Sequence, residues 1–410
     1  MGRRIVVAAG AALFAACGAQ PPAQETLHMS ERAASPELVG TASGAPLRGL
    51  SPGELALFEQ GRAVFTQEED AADGLGPVFN EASCVACHRG ADGAIGGSNG
   101  RLETRFGRVN ADGSFDPMAA QGGSLLQDHG IGLTPDGAYT YPAESVPAGA
   151  TVVAKRRTTN LFGLGLVDAV PDAEIRAIAA VQRIFTPAIA GRVAVVSDLA
   201  AGDKAVGKFG WKNGNPTLFQ FSGDAYLNEM GITSAFFTGE NCPQGDCGSL
   251  QYNPRPDLND ASGQDVQAFA DFMTFLGPPP RGPTTLKTLR GETLFAAVGC
   301  DHCHVPTLVT GRNAVRALDE KAFHPYSDFL LHDMGALGDG IAQGAAGPRD
   351  MRTAPLWGLR SNPAFLHDGS AKTPEDAILA HDGQGARSRD RFAHLDRSQK
   401  AALLAFLDSL

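Results

Sequence analysis

The sequence predicts a mainly α protein made of two similar units with long loop insertions, and three observations predict it. The string Cys84-Val85-Ala86-Cys87-His88 returns as Cys300-Asp301-His302-Cys303-His304. Around each copy the same segments recur in the same order: a helical apolar pattern before it, an Arg-Thr-x-x-Leu-[Phe/Trp]-Gly-Leu segment after it, and a closing amphipathic pattern. Gly and Pro are plentiful, at 50 and 26, which favours short helices joined by long loops over large sheets.

In C-x-x-C-H, thiols at i and i+3 lie one helical turn apart. Each can add to one vinyl group of a haem while the next His turns its imidazole onto the iron. A redox dithiol or half of a zinc site is the alternative for a lone C-x-x-C. A His after both copies, in a chain with an export signal, selects haem attachment. Two covalent c-type haems (haem c) are expected, one in each of two cytochrome c-like domains. Cys84, Cys87, Cys300 and Cys303 attach them, and His88 and His304 are the proximal iron ligands.

Arg3 and Arg4 precede an apolar run at 5–16, too short to span a bilayer but the length of a signal peptide. The run ends Leu13-Phe14-Ala15-Ala16-Cys17-Gly18, which resembles a lipobox with Phe14 where Leu is usual. Residues 1–17 are therefore expected to be a lipoprotein signal peptide, with Cys17 lipid-anchoring an exported, periplasm-facing protein. Ordinary cleavage near Ala19 is the alternative. Residues 18–50, rich in Ala, Pro, Ser and Gln without helical periodicity, read as a flexible tether.

Ser51-Pro52 opens the first helix, as N-cap and first helical residue. It leads through Gly61-Arg-Ala-Val-Phe65 to the first motif, as Gly291-Glu-Thr-Leu-Phe295 leads to the second. Arg157-Thr-Thr-Asn-Leu-Phe-Gly-Leu164 is echoed by Arg352-Thr-Ala-Pro-Leu-Trp-Gly-Leu359, and the closing helices fall at 265–276 and 398–410. The proline run at 277–283 cannot continue a helix and separates an N-terminal haem domain, 51–277, from a C-terminal one, 284–410. The first carries a long loop insertion between Arg89 and Gly210, of the kind that covers or shapes a site.

Cys242 and Cys247 read as a structural disulfide rather than a metal site in an oxidising compartment. Net charge is −11, and no basic run is interleaved with aromatics, so nucleic acid is not expected as a partner. Contact with a membrane is expected only through the lipid anchor.

With both motifs and the segments Phe209-Gly-Trp-Lys-Asn213, Asn228-Glu-Met-Gly-Ile-Thr233, Leu330-Leu-His-Asp-Met-Gly335 and Leu366-His-Asp-Gly369, the chain resembles the di-haem oxidoreductase family from about Ser51 to Leu410. That family is related to bacterial di-haem cytochrome c peroxidases. The resemblance implies a Trp between the haems and a Gln and a Glu on the distal side of the peroxide-binding one; Trp211, Gln220 and Glu229 follow in that order at intervals of 9 and 9. Breaking an O–O bond needs a proton moved between the two oxygens, and Glu229 is the expected group for it. Where the peroxidases ligate the second haem with Met, 14 residues after His367, this chain has His381. A second imidazole leaves a haem at lower potential than Met does. Met334 is the alternative ligand, and an exposed His381 a third reading. His129 lies in the interval where the peroxidases carry a capping His, so it is a candidate ligand of the first haem; a loop His is the alternative, and would leave that haem open. His332 and His367 are expected to hold loops, and Arg157 and Arg352 to pair with haem propionates or cap carbonyls. The resemblance also implies calcium between the domains, near Asn362 and Ala364.

The expected function is an exported peroxidase-like oxidoreductase, reducing hydrogen peroxide at the N-terminal haem with electrons relayed through the C-terminal haem from a small cytochrome or cupredoxin. A non-catalytic di-haem electron-transfer lipoprotein is the main alternative, and oxidation of a protein or organic substrate a third. A thiol oxidoreductase is not supported, since no C-x-x-C pair lies outside the haem motifs.

Overall fold

The computed structural model describes residues 40–410, which belong to one compact unit. The signal peptide, Cys17 and the tether before residue 40 lie outside them. Nine α-helices are present among the described residues: α1 (Pro52–Phe65), α2 (Leu164–Asp168), α3 (Asp172–Phe185), α4 (Leu218–Met230), α5 (Gln264–Phe275), α6 (Leu286–Ala297), α7 (Pro374–Ala380), α8 (Ala386–Ala393) and α9 (Arg397–Asp408). None is long and apolar enough to cross a membrane. The caps explain the starts: Ser51 and Glu54 form a reciprocal capping box on α1, as Asp396 and Gln399 do on α9.

Each closing helix packs on its entry helix. Phe58 and Phe65 of α1 meet Phe272 of α5 at ring-centroid distances of 5.4 and 4.8 Å, and Phe295 of α6 meets Phe406 of α9 at 5.4 Å. Gly61 and Gly291 stand at the two crossings, where a Cβ would sit 2.3 Å from the Ala268 carbonyl oxygen and 2.0 Å from that of Ala402. The helices approach this closely because those positions carry no side chain. Phe65 and Phe295 also lie against His88 and His304, with centroids 6.0 and 6.2 Å apart, so each helix pair positions one haem motif.

The structure corrects two expectations of loop or linker. The insertion after Arg89 contains an antiparallel sheet, in which the strand Leu102–Val109 pairs with Phe115–Asp116 and with Val152–Arg157. The tether ends earlier than residue 50: Leu47 is buried, its N–H bonds to the Phe275 carbonyl at 2.8 Å, and Gly40 bonds to Pro278 at 3.1 Å. At the start of the proline run Gly277, Pro278 and Pro279 are buried. Cys242 and Cys247 are disulfide-bonded, as expected.

A turn-and-helix unit also recurs. Phe209 bridges Asn215 as Phe365 bridges Ala371. Left-handed residues fall at Gly210 and Asn213 in one turn and at Leu366 and Gly369 in the other. Two residues past each bridge, Thr217 and Thr373 cap α4 and α7 by accepting from the third backbone N–H onward.

Candidate functional site

Each C-x-x-C-H string opens onto its own cavity. The first, about 220 Å³, is lined by Phe65, Cys84, Cys87, His88, Phe209 and Phe269 below, with charged side chains facing them. The second, about 230 Å³, is more apolar and is lined by Phe295, Cys300, Cys303, His304, Leu403 and Leu407. None of the four thiols is disulfide-bonded, and burial pushes those of Cys84, Cys87 and Cys300 up to about 12, where they stay protonated.

His304 Nδ1 lies 2.9 Å from the Tyr326 carbonyl. A carbonyl only accepts, so Nδ1 carries the proton and Nε2 keeps its lone pair for a metal. His88 is held less firmly: its Nδ1 is buried without a full hydrogen bond, and the Thr159 backbone beside it only partly offsets the burial. Burial pulls both imidazoles down to about 4, so both are neutral.

Over His88 stands a charged cluster. Glu229 comes from α4 and lines the cavity, its Oε2 accepting from Asn80 Nδ2 at 2.9 Å. Burial, followed by the neighbouring Glu103, pushes its carboxyl up to about 8. Glu103 and Arg105 alternate onto one face of the strand Leu102–Val109, and Arg156 sits directly across from Glu103 in the register. Arg105 grips Glu103 at 2.8 and 3.2 Å. Glu103 lines the cavity with a fifth of its side chain accessible, and the crowding around it raises the cost of its charge. Its two cations outweigh that cost and hold it below the usual carboxylate range. The motifs and the resemblance did not point to Glu103, Arg105 or Arg156. Opposite charges at Glu103 and Arg105, two residues apart and so on one face of a strand, were the available signal.

In the second cavity His381, at the end of α7, is crowded together with Met334 against Gly385. His381 Nδ1 lies 2.7 Å from the Ala377 carbonyl, which again leaves Nε2 as the free lone pair. Burial lowers its pKa, which keeps the ring neutral. His332 holds its surroundings together instead, buried between Asp328, at 3.0 Å, and Gln384, at 3.1 Å.

Trp211 lines both cavities, and its ring meets that of His367 edge-on at 6.3 Å. Its Nε1 donates to the Arg157 carbonyl at 2.8 Å. The two arginines of the repeated segments cross over: the Arg157 N–H donates to His367 and the Arg352 N–H to Trp211. Burial alone lowers both guanidinium pKa values to about 10, with no acid beside either one, and Arg157 Nε is buried without a partner. Buried cations at cavity walls without anions fit the carboxylates of a haem at each site. Paired thiols, neutral imidazoles and apolar walls fit its ring.

Two expected residues sit elsewhere. His129 is exposed on the strand pair Val78–Phe79 and His129–Gly130, stacked on Phe79 with Nδ1 3.1 Å from the Asn80 carbonyl; it is not in the wall of the first cavity. Pairing in that short sheet turns the ring outward, so the loop reading replaces ligation. Gln220 does not line the cavity: the Leu199 N–H donates to it at 2.8 Å and it donates to Ser197 at 3.1 Å, which holds the hairpin at 195–206. Helical spacing turns it away from Glu229, since nine residues are two and a half turns. Asn362, named with Ala364 for calcium, lines the second cavity and accepts from Asn160 Nδ2 at 2.7 Å.

Residues 148–410 match a family model described as "Di-haem oxidoreductase, putative peroxidase". No curated protein matches the chain. Among solved structures, the di-haem peroxidase BthA from Burkholderia thailandensis is 15% identical, with 92% of each chain covered and a TM-score of 0.40. Hydrazine synthase from Kuenenia stuttgartiensis is 15% identical, with 90% of this chain and 95% of that one covered and a TM-score of 0.38. A MauG-like protein associated with microbial copper homeostasis is 15% identical, covering 91% and 94%, with a TM-score of 0.38.

Proposed function

The chain belongs to the di-haem oxidoreductase family, and from that premise we propose that it is an exported peroxidase-like enzyme that reduces hydrogen peroxide at its N-terminal site and takes in electrons at its C-terminal one. The two halves are copies of a cytochrome c-like domain, each attaching a c-type haem through its cysteine pair. The crossed bonds of Arg157 and Arg352 support the duplication, because equivalent residues exchange equivalent contacts across a pseudo-twofold axis.

One observation carries the division of labour. His381 stands eight residues after the cap Thr373, and the residue eight after the matching cap Thr217 is Ala225, in the wall of the first cavity. The second site therefore has a distal imidazole where the first has a methyl group. With His129 on the outer surface, the first site is left open on the side that Glu229 faces.

A bound haem iron supplies the coordination of peroxide and the transfer of electrons to it. The chain's own residues do the rest. His88 and His304 would each hold an iron, and His381 would be a further ligand at the second site. Arg157 and Arg352 would meet the carboxylates. Glu229 moves the proton that O–O cleavage requires. Trp211 and His367 fill the gap between the two sites. Lipid anchoring through Cys17 and a small cytochrome or cupredoxin as donor complete the reading.

Absorption and electron paramagnetic resonance spectra of the resting and half-reduced protein test it. One high-spin haem that binds cyanide, beside one low-spin haem, is the expected result. Two low-spin haems in every redox state would leave an electron-transfer protein in place of the enzyme.

A further inference from the structure

The cluster over His88 holds two carboxyl groups, and the reaction as proposed uses only one. Glu103 and Glu229 face each other from the strand Leu102–Val109 and from α4 and lie within hydrogen-bond reach of one another. The cations are unevenly shared. Arg105 binds Glu103 through both of its oxygens, and Arg156 lies 4.0 Å from one of them. Glu229 has instead the neutral amide of Asn80 at 2.9 Å. The other charged group of α4 near the cluster is Asp224, whose two oxygens accept from Asn215 and Asn228, each at 2.9 Å. Cys87 faces Glu229 from the haem motif. Two adjacent carboxylates in a crowded cavity do not both ionise, so one proton stays between them.

We infer that Glu103 and Glu229 work as one proton-sharing pair, in which Arg105 keeps Glu103 as the carboxylate and Glu229 thereby holds the proton over the first cavity. The inference rests on the reading of that cavity as the peroxide site. Glu103 is a positioning residue that acts through Glu229. One proton leaves Glu229 for the outer peroxide oxygen, which departs as water, one returns to the pair from the inner oxygen, and the inner oxygen becomes the second water with two electrons from the reduced donor and two protons from solvent. The pair ends with the proton and the charge it began with, and the electrons that break the O–O bond come from the reduced donor. A lone carboxylate would have to pick up its proton first; the pair starts with one and recovers it.

Infrared difference spectra across pH on the haem-loaded protein test this without turnover. The wild type should show a carboxylic-acid band at neutral pH that disappears as pH passes about 8. Glu229→Gln should abolish the band. Glu103→Gln should keep it but lose it at distinctly lower pH, because the anionic neighbour is gone and Arg105 is left to Glu229. Glu103→Asp should restore the wild-type midpoint. A band that titrates in Glu103→Gln as in the wild type, or no such band in the wild type at neutral pH, would overturn the pair. Peroxide consumption, measured separately, should fall roughly 100-fold or more in Glu229→Gln and recover in Glu103→Asp relative to Glu103→Gln. No wild-type turnover beside the expected infrared behaviour would remove the peroxidase reading and leave the pair standing; normal turnover without the shared band would do the reverse.

Discussion

Gly291→Ala probes how tightly the haem motifs are held. The new methyl carbon would lie 2.0 Å from the Ala402 carbonyl oxygen and 2.6 Å from the Phe406 Cβ, against the 3.4 Å at which ordinary contact begins. Both obstacles are fixed to the backbone of α9, so no rotamer change relieves them and α6 and α9 must move apart. Overpacking of this kind costs about 1–3 kcal/mol, and a backbone clash belongs at the upper end. Alanine returns about 1 kcal/mol of helix propensity. A net loss of about 2 kcal/mol is expected, roughly a 30-fold shift toward the unfolded state. Urea unfolding followed by circular dichroism measures it. Gly53→Ala, in the first turn of α1 with nothing near the new methyl, is the control and should gain roughly 0.5–1 kcal/mol. If Gly291→Ala unfolds at the wild-type urea concentration or above it, the helices have slack and the glycine is no constraint.

Ala225→His should close the first site with an imidazole: the high-spin signal and cyanide binding should both be lost, and an unchanged spectrum would sink the equivalence with His381. His381→Ala should turn the second haem high-spin; if the low-spin spectrum persists, Met334 is the ligand. Arg157→Met should remove a buried cation that has no protein anion, so the apo-protein should be no less stable than the wild type while the haem-loaded form loses stability, as differential unfolding of the two would show. The raised pKa of Glu229 also predicts a sign. Between the ordinary carboxylate value of 4.5 and about 8, the folded protein holds a proton that the unfolded chain has released, so stability declines as pH rises through that window. Glu229→Gln should flatten the decline, measured as urea midpoints on the two sides of it.

What could be read directly from the chain was whatever depends on neighbours in sequence. The two Cys-x-x-Cys-His strings, the cap at Ser51 and the apolar faces of α1, α5, α6 and α9 are local patterns, and the helices stand where those patterns put them. The disulfide between Cys242 and Cys247 is equally local. The resemblance brought Glu229, Trp211 and His381, and all three line cavities.

Whatever depends on contacts between distant segments was decided by the tertiary structure. Glu103 becomes notable only once the strand that bears it pairs with Val152–Arg157 and turns it toward Glu229, 126 residues further along the chain. His129 and Gln220 had suitable chemistry and suitable intervals, yet sheet pairing and helical phase turned them away from the cavity. Ala225 is silent as a residue and acquires meaning only beside His381, when two turns of different sequence take the same backbone path. A chain can state which groups it carries and how its helices begin. Which side of a cavity each group faces depends on packing between residues that no short pattern connects.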